Sequence, residues 1–171
     1  MITDTLTRWL EGIAANKDAW AVRRATEPLW DRYSSCALGS AALTTDTAKA
    51  KIGSSDFYAL ANGVLVKVAA SADMAALVGT VANAAFNVFC FFVDSAGTLT
   101  TAMGVAGTTL ALVAFPQFPK QKAFIGAVII NPTGTGGFVG GTTSLTDGTV
   151  VPNAVFINGG GPLDPFALIG S

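Results

Sequence analysis

The sequence predicts a mainly β protein, an antiparallel β-sandwich or barrel-like domain with a short helical N-terminal segment. Short apolar runs separated by turn signals fill the chain from residue 57 onward, which is typical of β-rich domains. Only 12% of the 171 residues are charged, against a usual ~25%. Of the 21 charged residues, 15 lie before residue 68. Three explanations for this deficit are open: membrane insertion, burial against identical subunits, or a surface of Thr, Ser, Asn and Gly.

The N-terminal segment, residues 1–33, is predicted to be helical and to dock on a partner. Thr3 or Asp4 can cap its start, and apolar residues follow at the i, i+3, i+4, i+7 spacing of one helix face. All three tryptophans of the chain lie here, and Trp is enriched at interface hot spots. Packing of this segment onto the chain's own β body is the alternative. The predicted docking residues are Leu6, Trp9, Leu10, Ile13, Trp20 and Trp30.

Residues 34–56 are small, polar and alanine-rich, and are predicted to be a linker or an extended segment. The β-rich body is predicted to span residues 57–158. Its first hairpin has strands at 57–60 and 64–70 around Asn62-Gly63, a pair that is a strong hairpin signal. Alternation in the second strand places Val64, Val66 and Val68 on one face.

The second hairpin of the body joins the run FNVFCFFV, Phe86–Val93, to a strand at 98–103 through the turn at 94–97. Both faces of the first strand are apolar, and a strand of that kind is covered on both sides. In so small a domain we expect another subunit to supply the second cover. The predicted subunit-interface residues are Phe86, Phe89, Phe91 and Val93.

The rest of the body is predicted to contain strands at 109–115, 123–131 and 149–158 and a long Gly/Thr-rich loop at 132–148. Pro152 places the last strand at an edge or a bulge, because proline cannot donate to a sheet ladder. A Gly/Pro-rich C-terminal tail follows at 159–171, with an apolar end at Phe166–Ile169.

The chain offers no constellation for catalysis, and we predict that it is not an enzyme. It has no histidine, which removes the commonest general base and metal ligand. The glycine-rich loop Gly134–Gly141 meets neither the dinucleotide-binding nor the P-loop spacing. The two cysteines, Cys36 and Cys90, form no motif, although a disulfide between them stays open. We expect no cofactor and no metal ion.

Nucleic acid and membrane are not expected as partners. The longest basic run is Arg23-Arg24 and the net charge is −1, so no basic patch is indicated. The uncharged stretch 74–93 has the length of a transmembrane helix. It contains Gly79, Thr80, Asn83 and Asn87, and no cluster of Lys or Arg flanks it to set an orientation.

Four stretches of the body, taken in order, resemble a domain of tailed-bacteriophage virion proteins. They are AKIGSSDFYALANGVLVKVAAS, FFVDSAGTLTTAMG, FPQFPKQKAFIGAVIIN and FVGGTTSLTDGTVVPNAVFIN. The family patterns are ANAxxYxxxGxLxxKAA, DxAGTxT, KAxIGxIxV and FxPGTTxL, and the resemblance covers about residues 49–158. The chain has Gly140 where the family often has proline. The matching residues are Tyr58, Gly63, Lys67, Asp94, Gly97, Thr98, Lys122, Ile125, Gly126, Val128, Phe138, Gly141, Thr142, Thr143 and Leu145.

The resemblance implies a structural protein of the phage particle, located in the virion and made in the cytoplasm of the bacterial host. A capsid decoration subunit (cement or head-fibre), usually a homotrimer, is the leading expectation. Its partners would be copies of itself and the major capsid protein or another virion protein. The alternative is a tail-fibre or receptor- and glycan-binding module of the tail, with Phe118 and Phe138 as aromatics that could stack on sugars.

Overall fold

A computed structural model of the chain describes residues 34–47 and 49–159. In this part the protein is mainly β with antiparallel sheets, which confirms the predicted mainly β class. The predicted helical segment 1–33, with its six docking residues, and residues 160–171 of the tail lie outside the described residues. The described residues all belong to one compact unit that begins at Ser34.

The strands are short and are joined by tight turns. The described residues form β1 (Cys36–Ala37), β2 (Thr44–Asp46), β3 (Lys49–Lys51), β4 (Phe57–Ala61), β5 (Val64–Val68), β6 (Thr80–Val81), β7 (Asn87–Val93), β8 (Leu99–Met103), β9 (Ala123–Ile130), β10 (Phe138–Val139) and β11 (Val155–Asn158). A 3-10 turn, η1, spans Leu110–Leu112.

The first main sheet has three strands in the order β1-β4-β5. The predicted first hairpin is confirmed: Phe57 lies opposite Val68 and Ala61 lies opposite Val64. Its turn has positive φ at both Asn62 (52°) and Gly63 (74°), the backbone that a two-residue turn of matching twist requires. β1 pairs with β4 on the other side.

The second main sheet has four strands in the order β11-β9-β7-β8. The predicted second hairpin is also confirmed, with Val93 opposite Leu99 and Phe89 opposite Met103. The Asp94 carboxylate shapes its turn by accepting the backbone N–H of Ala96 at 3.0 Å and of Thr98 at 2.9 Å. β11 is an edge strand of this sheet, but it begins at Val155, so Pro152 lies in a turn before the strand and not within it as predicted.

Alternate residues of the central strand β7 point into two different cores. The inner core is lined by both main sheets, and its members include Phe57, Ala59, Val66, Val68, Phe89, Phe91, Val93, Ile125, Val128 and Ile130. The outer core lies on the other face of the four-stranded sheet and consists of Val88, Cys90, Phe92 and Ala127. Half-buried Ala102, Val113, Phe124 and Ile129 pack against the outer core.

The segment 34–56 contributes to the inner core rather than only connecting the body to what precedes it. It contains β1, β2 and β3, and Leu43, Ala50 and Ile52 are buried in the inner core. The Asn158 carboxamide oxygen accepts the backbone N–H of Leu43 at 2.7 Å. This hydrogen bond ties the segment to the edge of the four-stranded sheet.

The Gly/Thr-rich loop is packed against the body. Leu145 of the loop and Val151 just after it are buried, and the Asp147 carboxylate accepts the backbone N–H of Thr149 at 2.9 Å. Gly140 donates its N–H to the Gly79 carbonyl at 2.8 Å, and a Cβ at Gly140 would lie 2.6 Å from the Leu77 carbonyl oxygen. Proline can neither donate that hydrogen bond nor fit beside Leu77, so the glycine of this chain suits its own loop.

Candidate interaction surface

A segment of the same chain covers the outer core. We call residues 104–119 the flap. The flap continues from β8, with the Gly104 N–H bound to the Val88 carbonyl at 2.8 Å. It is held as a loose hairpin by two hydrogen bonds between Val105 and Ala114, at 2.9 and 3.2 Å. Val113 points inward and packs against the outer core.

The end of the flap is an exposed apolar turn. We call Leu110, Ala111 and Leu112 the flap tip. The backbone N–H of Leu112 binds the Thr109 carbonyl at 3.1 Å, which closes the 3-10 turn. Leu110 is 54% exposed and Leu112 is 64% exposed. Because large apolar side chains grouped in this way mark interaction sites, the flap tip is the first candidate contact surface.

Where the flap returns to β9, two of its rings meet two rings of the four-stranded sheet. We call Phe115 and Phe118 of the flap, Phe92 of β7 and Phe124 of β9 the aromatic cluster. Phe118 stacks on Phe124 with ring centroids 5.0 Å apart and meets Phe92 edge-on at 5.2 Å. Phe115 lies 6.3 Å from Phe118. Phe92 is buried, whereas Phe118 is 46% exposed and Phe115 is 55% exposed. The cluster is therefore anchored in the outer core and open to solvent on the flap side.

The flap is bordered by charge but contains none. Residues 95–119 include no Asp, Glu, Lys or Arg. Asp94 precedes this stretch, and hydrogen bonds from the backbone N–H of Thr98 and then of Ala96 lower the pKa of its carboxyl. Lys122 follows the stretch and donates to the Thr100 hydroxyl at 3.2 Å. A partner that covers the flap would desolvate almost no charge, which removes the largest cost of burying a surface.

Three of the four residues predicted to form a subunit interface are buried inside the chain. Phe89, Phe91 and Val93 have essentially no exposed surface and face the inner core. Phe86 is half-buried and exchanges two backbone hydrogen bonds with Gly107, at 2.8 and 3.0 Å, at the base of the flap. The chain itself therefore supplies the second cover of β7, through the flap, and Phe89, Phe91 and Val93 have no surface left to offer to another copy.

A strand is predicted at 109–115, so the flap tip is not among the surfaces predicted from the sequence. The structure shows a 3-10 turn instead, since the backbone of Leu112 folds against Gly107, where a Cβ would lie 2.7 Å from the Leu112 carbonyl carbon. The signal that could have located the surface is the absence of charge from 95 to 119 together with its many large apolar residues. Of the two aromatics considered for sugar stacking, Phe118 is exposed and Phe138 is buried against Phe89.

The described residues hold no cluster of three or more His, Cys, Asp or Glu that could bind a metal ion. Cys36 and Cys90 do not form a disulfide, and burial raises the pKa of the Cys90 thiol to about 12. Among the described residues, Lys67 pairs with Asp56 at 2.6 Å and Lys49 pairs with Asp73 at 3.5 Å at the surface. Exposed pairs of this kind contribute little to stability.

Across residues 34–47 and 49–159, no helix is both long and apolar enough to span a membrane. No family model, curated protein or solved structure matches this chain. The chemistry of the exposed apolar flap therefore carries the functional argument.

Proposed function

We propose that the protein is a non-enzymatic structural subunit of a phage particle, most simply a capsid decoration (cement or head-fibre) protein. In this proposal it forms a homotrimer through the flap, with the two main sheets arranged as a β-sandwich. Its helical N-terminal segment docks on the major capsid protein or on another virion protein. The order of the four sequence stretches that resemble virion proteins supports the class of protein.

The single observation that carries the proposal is the exposed flap tip on an uncharged surface. A monomer that stays in solution rarely presents apolar residues this exposed in a turn with no neighbouring charge. Burying them between copies contributes roughly 25 cal/mol for each Å² of apolar surface removed from water. Repetition of the same contact around a closed rotation axis lets each copy bury its own flap tip.

The first experiment measures the mass of the purified full-length protein at micromolar concentration. We expect a trimer, and we expect Leu112→Ser to weaken association by roughly tenfold or more, because burial of a leucine is worth ~1.5–3 kcal/mol. Leu65→Ser is the matched control, since Leu65 is 62% exposed on the three-stranded sheet. A monomeric wild type would refute the homotrimer, and dissociation by the control alone would refute the flap as the contact.

The second experiment concerns the N-terminal segment. A chain that lacks residues 1–33 is expected to keep its β-type circular dichroism spectrum, because the described residues form their own compact unit. It is also expected to be absent from particles assembled in its presence. Normal incorporation of the shortened protein would show that this segment does not dock.

The half-exposed aromatic cluster favours one alternative, a tail-fibre or glycan-binding module. Exposed rings such as Phe115 and Phe118 offer flat apolar faces on which a sugar ring can pack. The number of copies in purified virions separates the two functions, since decoration requires hundreds of copies and a tail part far fewer. Specific binding on a glycan array that is lost in Phe118→Ala would favour the tail module.

A further inference from the structure

The backbone of Phe124, a member of the aromatic cluster, lies beside Gly159, where the described chain ends. We propose that the C-terminal segment, residues 160–171, docks on the aromatic cluster of its own chain, with Phe166 as the anchor. This occupant is independent of any contact made by the flap tip.

The exit of the chain from the sheet directs the segment toward the cluster. In the register of β11 and β9, Asn158 lies opposite Gly126, and the Gly159 N–H extends the ladder by binding the Ile125 carbonyl at 2.8 Å. The next residue of β9 in that direction is Phe124, whose carbonyl oxygen would lie 3.2 Å from a Cβ at Gly159. The chain therefore leaves the sheet beside the backbone of Phe124, whose ring belongs to the cluster.

The length and composition of the segment match this surface. Phe166 is seven residues beyond Gly159, a separation that spans up to about 24 Å when extended. Leu163, Phe166, Leu168 and Ile169 are apolar. The single charge of the segment, Asp164, is opposite in sign to Lys120 and Lys122, which lie between Phe118 and Phe124 in the sequence.

Tethering favours docking within one chain over docking on another copy. A short covalent connection gives the segment an effective concentration of the order of millimolar near the cluster. At micromolar protein, the same segment of a neighbouring chain is far more dilute. A second copy becomes the occupant only where the segment cannot turn back onto its own sheet.

A disulfide-trapping experiment on the full chain tests the proposal. Gln117→Cys and Ala167→Cys are introduced together with Cys36→Ser, which leaves all the cluster rings and Phe166 in place. Gln117 is exposed and precedes Phe118, while the native Cys90 is fully buried. The control pair combines Ala167→Cys with Leu65→Cys, an exposed position on the three-stranded sheet.

We expect the pair at 117 and 167 to oxidise on the order of tenfold faster than the control pair, and Phe166→Ser to remove most of that difference. Oxidation of a mixture of isotopically light and heavy chains identifies the occupant by mass. Cross-linked peptides that are wholly light or wholly heavy support docking within one chain. Mixed peptides, or equal rates for the two cysteine pairs, would overturn the proposal.

Discussion

Phe89→Ala decides whether β7 is an inner-core strand or a subunit contact. In the structure Phe89 has no exposed surface and packs edge-on against Phe138 with ring centroids 5.7 Å apart. Loss of its ring should therefore destabilise the folded chain itself, whatever the oligomeric state. As a subunit contact, it would instead weaken association and leave each folded chain intact.

The magnitude follows from complete burial. Moving a phenylalanine side chain out of water is worth about 1.5–3 kcal/mol, and the edge-on contact with Phe138 adds about 0.5–1.5 kcal/mol. With the cavity that alanine leaves, the expected loss of unfolding free energy is about 3–5 kcal/mol. Because domains are usually stable by only about 5–15 kcal/mol, the variant should be close to unfolding.

Urea denaturation followed by circular dichroism measures the effect at a low and at a high protein concentration. The control is Phe115→Ala, which removes the same ring from a position that is 55% exposed, and it should cost about 1 kcal/mol or less. We expect the large loss for Phe89→Ala at both concentrations. A loss no larger than that of the control, or one seen only at low concentration, would refute the placement of Phe89 in the inner core.

Three further predictions follow from local geometry. Burial raises the pKa of the Cys90 thiol to about 12, so about one thiol in 10,000 is ionised at pH 8. DTNB should therefore label Cys90 only after urea is added. Rapid labelling of Cys90 in the native protein would contradict its burial. The backbone N–H groups of Thr98 and Ala96 lower the pKa of Asp94, so its stabilisation is complete above the ordinary Asp pKa of about 3.9 and is lost as the pH falls through the lower folded-state value. The urea midpoint of Asp94→Ala should lack that part of the acid dependence, and identical pH profiles for the two proteins would rule the effect out. Gly140→Pro removes the hydrogen bond to Gly79 and forces a Cβ against Leu77. In the same denaturation assay it should lower the free energy of unfolding by at least about 2 kcal/mol. Gly148→Ala should change that free energy little, because a Cβ at Gly148 meets nothing within 4 Å.

The two hairpins of the body were predictable because their signals are local. The two-residue turn has positive φ at both Asn62 and Gly63. Few residue types other than Asn and Gly adopt that backbone readily, so the pair is a strong local signal for a hairpin. The strand at Phe86–Val93 was recognisable because an unbroken apolar run suits a strand buried on both faces. The strands in residues 34–56 were not predicted, since β1, β2 and β3 are only two or three residues long. Strands that short carry no periodicity and form because tertiary packing selects them.

The candidate surface was harder to predict than the fold for a physical reason. Apolar residues on a strand and apolar residues on a loop that covers the strand look alike in sequence, because both are uncharged. β7 has two covers, as its two apolar faces predict, but the second cover comes from the flap of the same chain and not from another subunit as expected. Nothing in the sequence alone distinguishes a cover from the same chain from a cover by another copy. That choice depends on residues 104–119 folding back, which rests on long-range contacts such as Phe118 on Phe92.

When the flap covers β7, the chain still exposes apolar surface to water, but that surface now lies on the flap and not on β7. The outer core is closed by Val113 and Phe118, which fixes the flap close to the sheet. The flap has no charged residue with which to solvate its far side, so Leu110, Leu112 and Phe115 face water in place of the β7 side chains. A sequence under selection only for a soluble monomer would place Lys or Glu at these positions at almost no cost to the outer core. Their absence is the reason to look for assembly at the flap rather than at β7.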